Sequence, residues 1–237
     1  GAGNVAKILS SFSNRVYLLS QIGEDEKGKL VNKLLKKHKI NSLLLKSKKF
    51  KTIEKKRVIA NNTQVLRIDD ENLENNIIDS KKIKKNLTKY LDKNTIVIFS
   101  DYNKGVLKNI EELINICRKN KITTIVDPKL KNLEKYKYAT IIKPNEDEFN
   151  NYKLFLKSNK RKFQFRNLKC EHLIISMNKH GIKHINKNKE KNYKTDVKNI
   201  FDVTGAGDVL CALVGYFYSL NISLNEDAFK LINYICG

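Results

Sequence analysis

Asp202-Val203-Thr204-Gly205-Ala206-Gly207-Asp208 sets three small residues between two carboxylates, immediately ahead of an apolar stretch that begins at Val209, Leu210 and Leu213. Small residues at such a junction leave the first N–H groups of the following helix open to an anionic oxygen, and the helix dipole favours negative charge there. A phosphoryl group in transfer develops charge on its oxygens, which fixed donors stabilise. Asp208, at the same helix start, could take the proton of an attacking hydroxyl within hydrogen-bond reach. Asp202 could act on magnesium through water. The same residues also fit a plain glycine turn with Asp208 as a helix cap.

Lys143-Pro144-Asn145 forms a strand-to-helix turn with one fixed φ, and Glu148 follows Asn145 by three residues. That spacing suits a magnesium-phosphate site, and it equally suits a capping box. Asp101 and Lys104 follow the apolar run TIVIFS, where open α/β sheets place ligands, and a solvated loop explains them as well. Asp127-Pro128 also ends an apolar run and reads either as a site-lining position or as a turn. Arg57 and Arg67 sit among many lysines, as a substrate clamp or as solvated charge.

These groups need a scaffold, and the pattern supplies one. Apolar runs at 95–100, 121–128, 139–144 and 172–176 alternate with helical stretches at 79–92, 109–119 and from Asn145 onward. Helices are also expected at 4–12, from Asp25 to about His38, at 208–220 and at 226–236, with strands at 15–20 and from about Ile40. Short apolar strands alternating with helices predict a mostly parallel sheet covered on both faces. The stretch 50–71 differs: KTIEKKRVIA and TQVLRIDD alternate polar and apolar residues around Asn61-Asn62, the mark of a solvated hairpin and a candidate lid, within a lid portion taken as 40–71. IKHI after Gly181 is a candidate strand, 186–199 a polar loop or exposed edge, and 153–169 has little pattern.

The 237 residues carry 47 Lys+Arg against 25 Asp+Glu, a net charge of +22. Such a charge raises nucleic acid as a partner, but the lysines are spread along the whole chain instead of forming one block, and a phosphorylated metabolite also profits from a positive field. Cys117, Cys170, Cys211 and Cys236 lack zinc or CxxC spacing and read as free thiols in a reducing compartment. His38, His172, His180 and His184 show no ligand spacing. No run of about 18 apolar residues predicts a membrane span.

The ordered set GAGNVA (1–6), IGED (22–25), TIEKKRVIANNTQVLRIDDE (52–71), SDYNKGVL (100–107), VDPK (126–129), KPNEDEF (143–149) and DVTGAGD (202–208) resembles the ribokinase-like (PfkB-type) carbohydrate kinases over nearly the whole chain. DVTGAGD and KPNEDEF carry the superfamily. SDYNKG and the long 52–71 stretch resemble the branch that phosphorylates D-glycero-β-D-manno-heptose 7-phosphate, found alone or as the kinase domain of a bifunctional heptose kinase/adenylyltransferase.

The resemblance implies a three-layer α/β sandwich, a mostly parallel sheet with helices on both faces and a small β lid. It implies ATP and Mg²⁺ as cofactors, a sugar phosphate as acceptor and a cytoplasmic location, with a homodimer through the lid as an option and nucleic acid not the expected partner. It gives Asp208 the role of base and Gly205, Ala206 and Gly207 that of anion hole. Asn4, Lys55, Arg57, Arg67, Asp101 and Lys104 fall to the substrate. Asn145, Glu148, Ser176, Gly181 and Thr204 fall to the nucleotide, with Glu148 and Asp202 meeting the metal through water.

The chain departs from the family pattern at several points. It begins at the second glycine of the GGxxN motif, without the strand and substrate-binding Asp that precede it in relatives. The loop near Asn178 is altered, the part between Glu148 and Ser176 is short, and the end falls within the helices after the base. A single kinase domain over 1–237, truncated at both ends, is therefore expected. A kinase for another sugar phosphate and a non-catalytic nucleotide- or nucleic-acid-binding relative are the competing readings.

Overall fold

The computed structural model describes residues 1–60, 63–70, 78–195 and 205–236. The elements run α1 (Ala2–Ser10), β1 (Tyr17–Gly23), α2 (Glu26–Lys37), β2 (Asn41–Ser47), β3 (Glu54–Ala60), β4 (Thr63–Asp70), α3 (Ser80–Tyr90) and β5 (Ile96–Ser100). They continue with α4 (Ile110–Lys119), β6 (Thr123–Asp127), β7 (Ile141–Ile142), α5 (Glu146–Ser158), β8 (His172–Ser176), β9 (Ile182–Asn186), β10 (Glu190–Tyr193), α6 (Ala206–Ser219) and α7 (Glu226–Cys236).

The central sheet has the order β10-β9-β8-β7-β6-β5. β5 to β8 are parallel, and β9 and β10 extend the sheet antiparallel. Strands buried on both faces need apolar residues at successive positions, because alternate side chains enter different layers. Ile125, Ile141 and Ile174 enter one layer with α6, α7 and Val5 of α1. Val126, Ile142, Leu173 and Ile175 enter the other, with α3, α4 and α5. Three layers result, as expected. The polar run 186–199 holds β10, a short edge strand whose Glu190, Lys191 and Asn192 are exposed. Polarity on an outermost strand protects its open edge.

β1 and β2 form a separate parallel pair, joined through α2. The segment 40–71 does not form one unit: β2 pairs with β1, and β3 and β4 make a hairpin of their own. The hairpin's base is fixed by IGED and its surroundings. Asp25 caps α2 by accepting from the Gly28 amide at 2.7 Å, while its second oxygen accepts from the Thr52 amide at 2.9 Å. Lys27 of α2 reaches Glu54 at 2.6 Å and Asp70 at 3.0 Å, one residue at each foot of the hairpin.

The hairpin has two unlike faces. Val58, Leu66 and Ile68 are apolar and exposed on one. Lys55, Arg57, Arg67 and Asp69 share the other, with Arg57 directly opposite Arg67.

Candidate active site

The residues of interest gather where the parallel strands end. Asp101 follows β5, Asp127 closes β6, Lys143 follows β7 and Ser176 closes β8. Ligands of open α/β sheets bind at this end. α6 starts there too. Its N-cap is Gly205, at φ +99° and without a capping side chain, a backbone state that side chains resist. The first backbone bond of the helix runs from the Val209 amide to the Gly205 carbonyl, so the amides of Ala206, Gly207 and Asp208 precede the helical ladder.

Asp208 stands in this first turn with its side chain 13% exposed. Asn4 of α1 donates from Nδ2 to its Oδ2 at 2.9 Å. The Tyr102 hydroxyl faces its Oδ1 at 3.5 Å. Burial, then the charges of Asp208 and Asp127, push the Tyr102 phenol above its ordinary range, so it is a proton donor to the carboxylate and never a competing anion. Beneath lies Cys211, whose thiol burial and Asp127 raise to about 12 and thereby make inert.

Asn145 and Glu148 form the capping box that their spacing allowed. The Asn145 side chain accepts from the Glu148 amide at 2.7 Å, and Glu148 Oε2 accepts from the Asn145 amide at 2.9 Å. Glu148 Oε1 is 3.0 Å from Lys129 Nζ. Asn145 bridges to Ser176 in parallel fashion, so these two meet at the strand ends. Gly181 lies just beyond: the Met177 amide donates to its carbonyl at 2.8 Å. It has φ +85°, and a Cβ there would stand 2.1 Å from the Tyr193 carbonyl oxygen, which explains this glycine by the close approach of β10.

Asp101 is turned into the fold. Its Oδ2 accepts from the Tyr136 hydroxyl at 2.7 Å and its Oδ1 from the Asn103 amide at 2.7 Å, tying the loop after β5 to the loop after β6. Lys104 is half-buried on the same loop. On the β3–β4 hairpin, Lys55 and Arg67 both reach Asp69, at 3.4 and 3.0 Å, and Arg57 is exposed. Asp202 and Thr204 lie outside the described residues.

Two side chains at this end were not singled out from the sequence. Tyr102 sits inside SDYNKG and touches Asp208 from 106 positions away. Lys143 sits inside KPNEDEF, buried beside Asp127. Neither residue type nor sequence neighbours mark them, and only the register of strand ends shows where they point.

The family model for pfkB family carbohydrate kinases matches residues 1–231. The chain belongs to this family. It is 31% identical over 245 residues to the bifunctional protein HldE of Haemophilus influenzae (strain PittEE), covering all of this chain and 51% of that protein. It is 35% identical over 241 residues to the HldE protein of Aliarcobacter butzleri, covering 95% of this chain and 49% of that protein. The chain thus spans about half the length of the curated relatives it matches.

Among solved structures, a ribokinase from Thermotoga maritima superposes with a TM-score of 0.71 at 21% identity, over 99% of this chain and 77% of that one. A PfkB protein from Polaromonas gives 0.78 at 14% identity, over 99% and 82%. Both show the ribokinase-like α/β fold expected from the sequence. No helix among the described residues is long and apolar enough to cross a membrane.

Proposed function

We propose that the chain carries out ATP-dependent phosphorylation of D-glycero-β-D-manno-heptose 7-phosphate at the C1 hydroxyl, giving the 1,7-bisphosphate. The observation that carries the reading is the start of α6: three amides ahead of the helical ladder, and a carboxylate in the same turn aimed by Asn4 and Tyr102. In this reading Asp208 takes the C1 hydroxyl proton, and the C1 oxygen forms its bond to the γ-phosphorus as the bond to the bridging oxygen of ADP breaks. The amides of Ala206, Gly207 and Asp208 meet the charge that develops on the phosphoryl oxygens.

The acidic groups near this turn fit a magnesium ion held largely through water. Glu148 and Asp208 both act electrostatically on Asp127, yet no group of three or more among the described residues forms an all-protein cage. Magnesium keeps several waters and needs one or two carboxylates besides phosphate oxygens. Glu148, with Asp202, would hold it, and when bound it neutralises the phosphates of ATP. Asn145, Ser176 and Gly181 would border the nucleotide.

The β3–β4 hairpin would act as a lid and hold the acceptor's phosphate. Like charges directly opposite on a hairpin are unfavourable, and Arg57 faces Arg67 across the pair, with Lys55 and Asp69 on the same side. A phosphate dianion would relieve that repulsion. The choice of heptose 7-phosphate rests on the likeness of the 52–71 and SDYNKG stretches. The exposed Val58, Leu66 and Ile68 face suits a second copy of the lid.

Incubating the complete protein with Mg-ATP and a panel of sugar phosphates, followed by mass, tests the reading. Heptose 7-phosphate is expected to gain one phosphoryl group faster than any other sugar. Preference for a hexose phosphate would keep the kinase and remove the heptose. Absence of transfer to every sugar from a folded protein would remove both. Tyr102→Phe should lower kcat only about 3-fold, because a 3.5 Å hydrogen bond to one oxygen of an already held carboxylate contributes little. A loss above about 100-fold would make Tyr102 a proton carrier in its own right.

A further inference from the structure

Lys143 is almost wholly buried, yet it is charged and lies under the start of α6. Its Nζ is 2.8 Å from Oδ1 of Asp127 and 3.4 Å from the Gly207 carbonyl oxygen. A Cβ at position 207 would stand 3.2 Å from that same nitrogen, so the ammonium packs directly on the Gly207 backbone. Burial opposes the charge, but Asp127 outweighs it, and the ammonium is held above its ordinary range. Burial pushes Asp127 up, while Lys143 pulls it back toward the ionised form.

A buried ion pair is a poor way to gain stability, since a well-packed apolar pair of similar volume commonly does as well or better. Its position points elsewhere. The Gly207 carbonyl and the Asp208 amide are the two ends of one peptide unit. A cation at the carbonyl end fixes the orientation of that unit and polarises its N–H, the amide at the far end becoming a stronger donor. That amide is one of the three ahead of the helical ladder.

We propose that Lys143 is a positioning residue for phosphoryl transfer, its ammonium held by Asp127 against the Gly207 carbonyl so that the Asp208 amide is aimed at, and polarised toward, the transferred phosphoryl group. This rests on the kinase reading above and adds a part to it. Asp127 acts in the same unit by holding the ammonium and balancing its charge. A methyl group at position 207 would require the ammonium to shift by a few tenths of an ångström.

The test uses the complete protein and two variants, Lys143→Met and the double variant Asp127→Asn/Lys143→Met, with kcat, both KM values and the melting temperature measured for each. Lys143→Met leaves Asp127 buried without its partner and should lower the melting temperature. It should also lower kcat by about 10- to 100-fold while the KM for ATP and for the sugar phosphate stay within about 3-fold, because a group acting on the transition state alone shows in kcat. The double variant removes both charges and should recover the melting temperature without recovering kcat.

Recovery of both in the double variant would reduce Lys143 to a structural partner of Asp127 and overturn the proposal. Unchanged kcat in Lys143→Met would also overturn it. Failure of both variants to fold would assign the pair to stability alone, against the proposal. A wild-type protein that transfers to no sugar would remove the kinase reading and this proposal with it, whereas an active wild type with equally active variants sinks this proposal alone.

Discussion

Asp208→Asn is expected to lower kcat by about 10³-fold with little change in either KM, the size of effect a positioned general base has on proton removal. The substitution is close to isosteric and the surroundings can keep it in place. An amide oxygen can accept from Asn4 Nδ2 as Oδ2 does now, and an amide NH₂ can donate to the Tyr102 hydroxyl oxygen. What disappears is the ability to take a proton. Losing a negative charge in the first turn of α6 should cost about 0.3–1 kcal/mol of stability, so the protein should melt close to wild type. Initial rates with saturating Mg-ATP and the best sugar of the panel, beside a melting curve, separate lost chemistry from lost fold. A variant that keeps more than about a tenth of the wild-type rate would make Asp208 a helix-start carboxylate and leave the base elsewhere.

The sequence made the layers legible because burial on both faces writes itself as uninterrupted apolar runs, as at 95–100 and 172–176. It made the turn at Gly205 legible because a capless helix start with positive φ needs glycine. Other features depend on distance in space. Tyr102 is one aromatic in a polar loop until α6 arrives beside it. Lys143 is one of 47 basic residues, and nothing in its neighbours in sequence says that Asp127 lies 2.8 Å away. The pattern Asn145 to Glu148 was ambiguous for a different reason. A capping box and a phosphate-side site both need an amide-bearing side chain and a carboxylate at the start of a helix, and the structure forms the box while leaving Glu148 beside the strand ends. A strand carries no mark of its partner, so nothing in the run from Ile40 shows that β2 pairs with β1 in parallel through the α2 crossover and not with the β3–β4 hairpin.

The histidines give the second large expectation. Read singly they are unremarkable, but the β8–β9 hairpin pairs Ile174 with His184 and His172 with Asn186, which puts the two imidazoles diagonally on one face. His172 Nδ1 and His184 Nε2 are 2.8 Å apart and share one proton. His184 is fully buried, its ring lies 4.8 Å from that of Phe229 of α7, and its Nδ1 has no hydrogen-bond partner among the described residues. His172 faces Tyr218 of α6. Burial, then His172 and Lys189, bring His184 down to about 4. Burial also lowers His172, with Glu171 pulling the other way.

Both groups therefore bind protons more tightly in the unfolded chain than in the folded one. Stability is at its plateau with respect to these groups above about pH 6.5, alkaline pH included, and is lost as the pH falls from there toward 4. Between pH 7 and pH 5 the loss from His184 should be about 2 kcal/mol, with α6 and α7 as the elements that a charged imidazole would drive from the sheet. Urea midpoints at a series of pH values, for the wild type and for His184→Phe, measure it. The phenyl ring keeps the contact with Phe229 and cannot charge, so the variant should lose clearly less stability than the wild type over that range. The carboxylates held down by lysines, Asp70 among them, lose their contribution only at lower pH and do not imitate the effect. Equal slopes for the two proteins between pH 7 and pH 5 would mean that the imidazole pair accepts a proton without leaving its place, and that the join between sheet and helices is indifferent to acid.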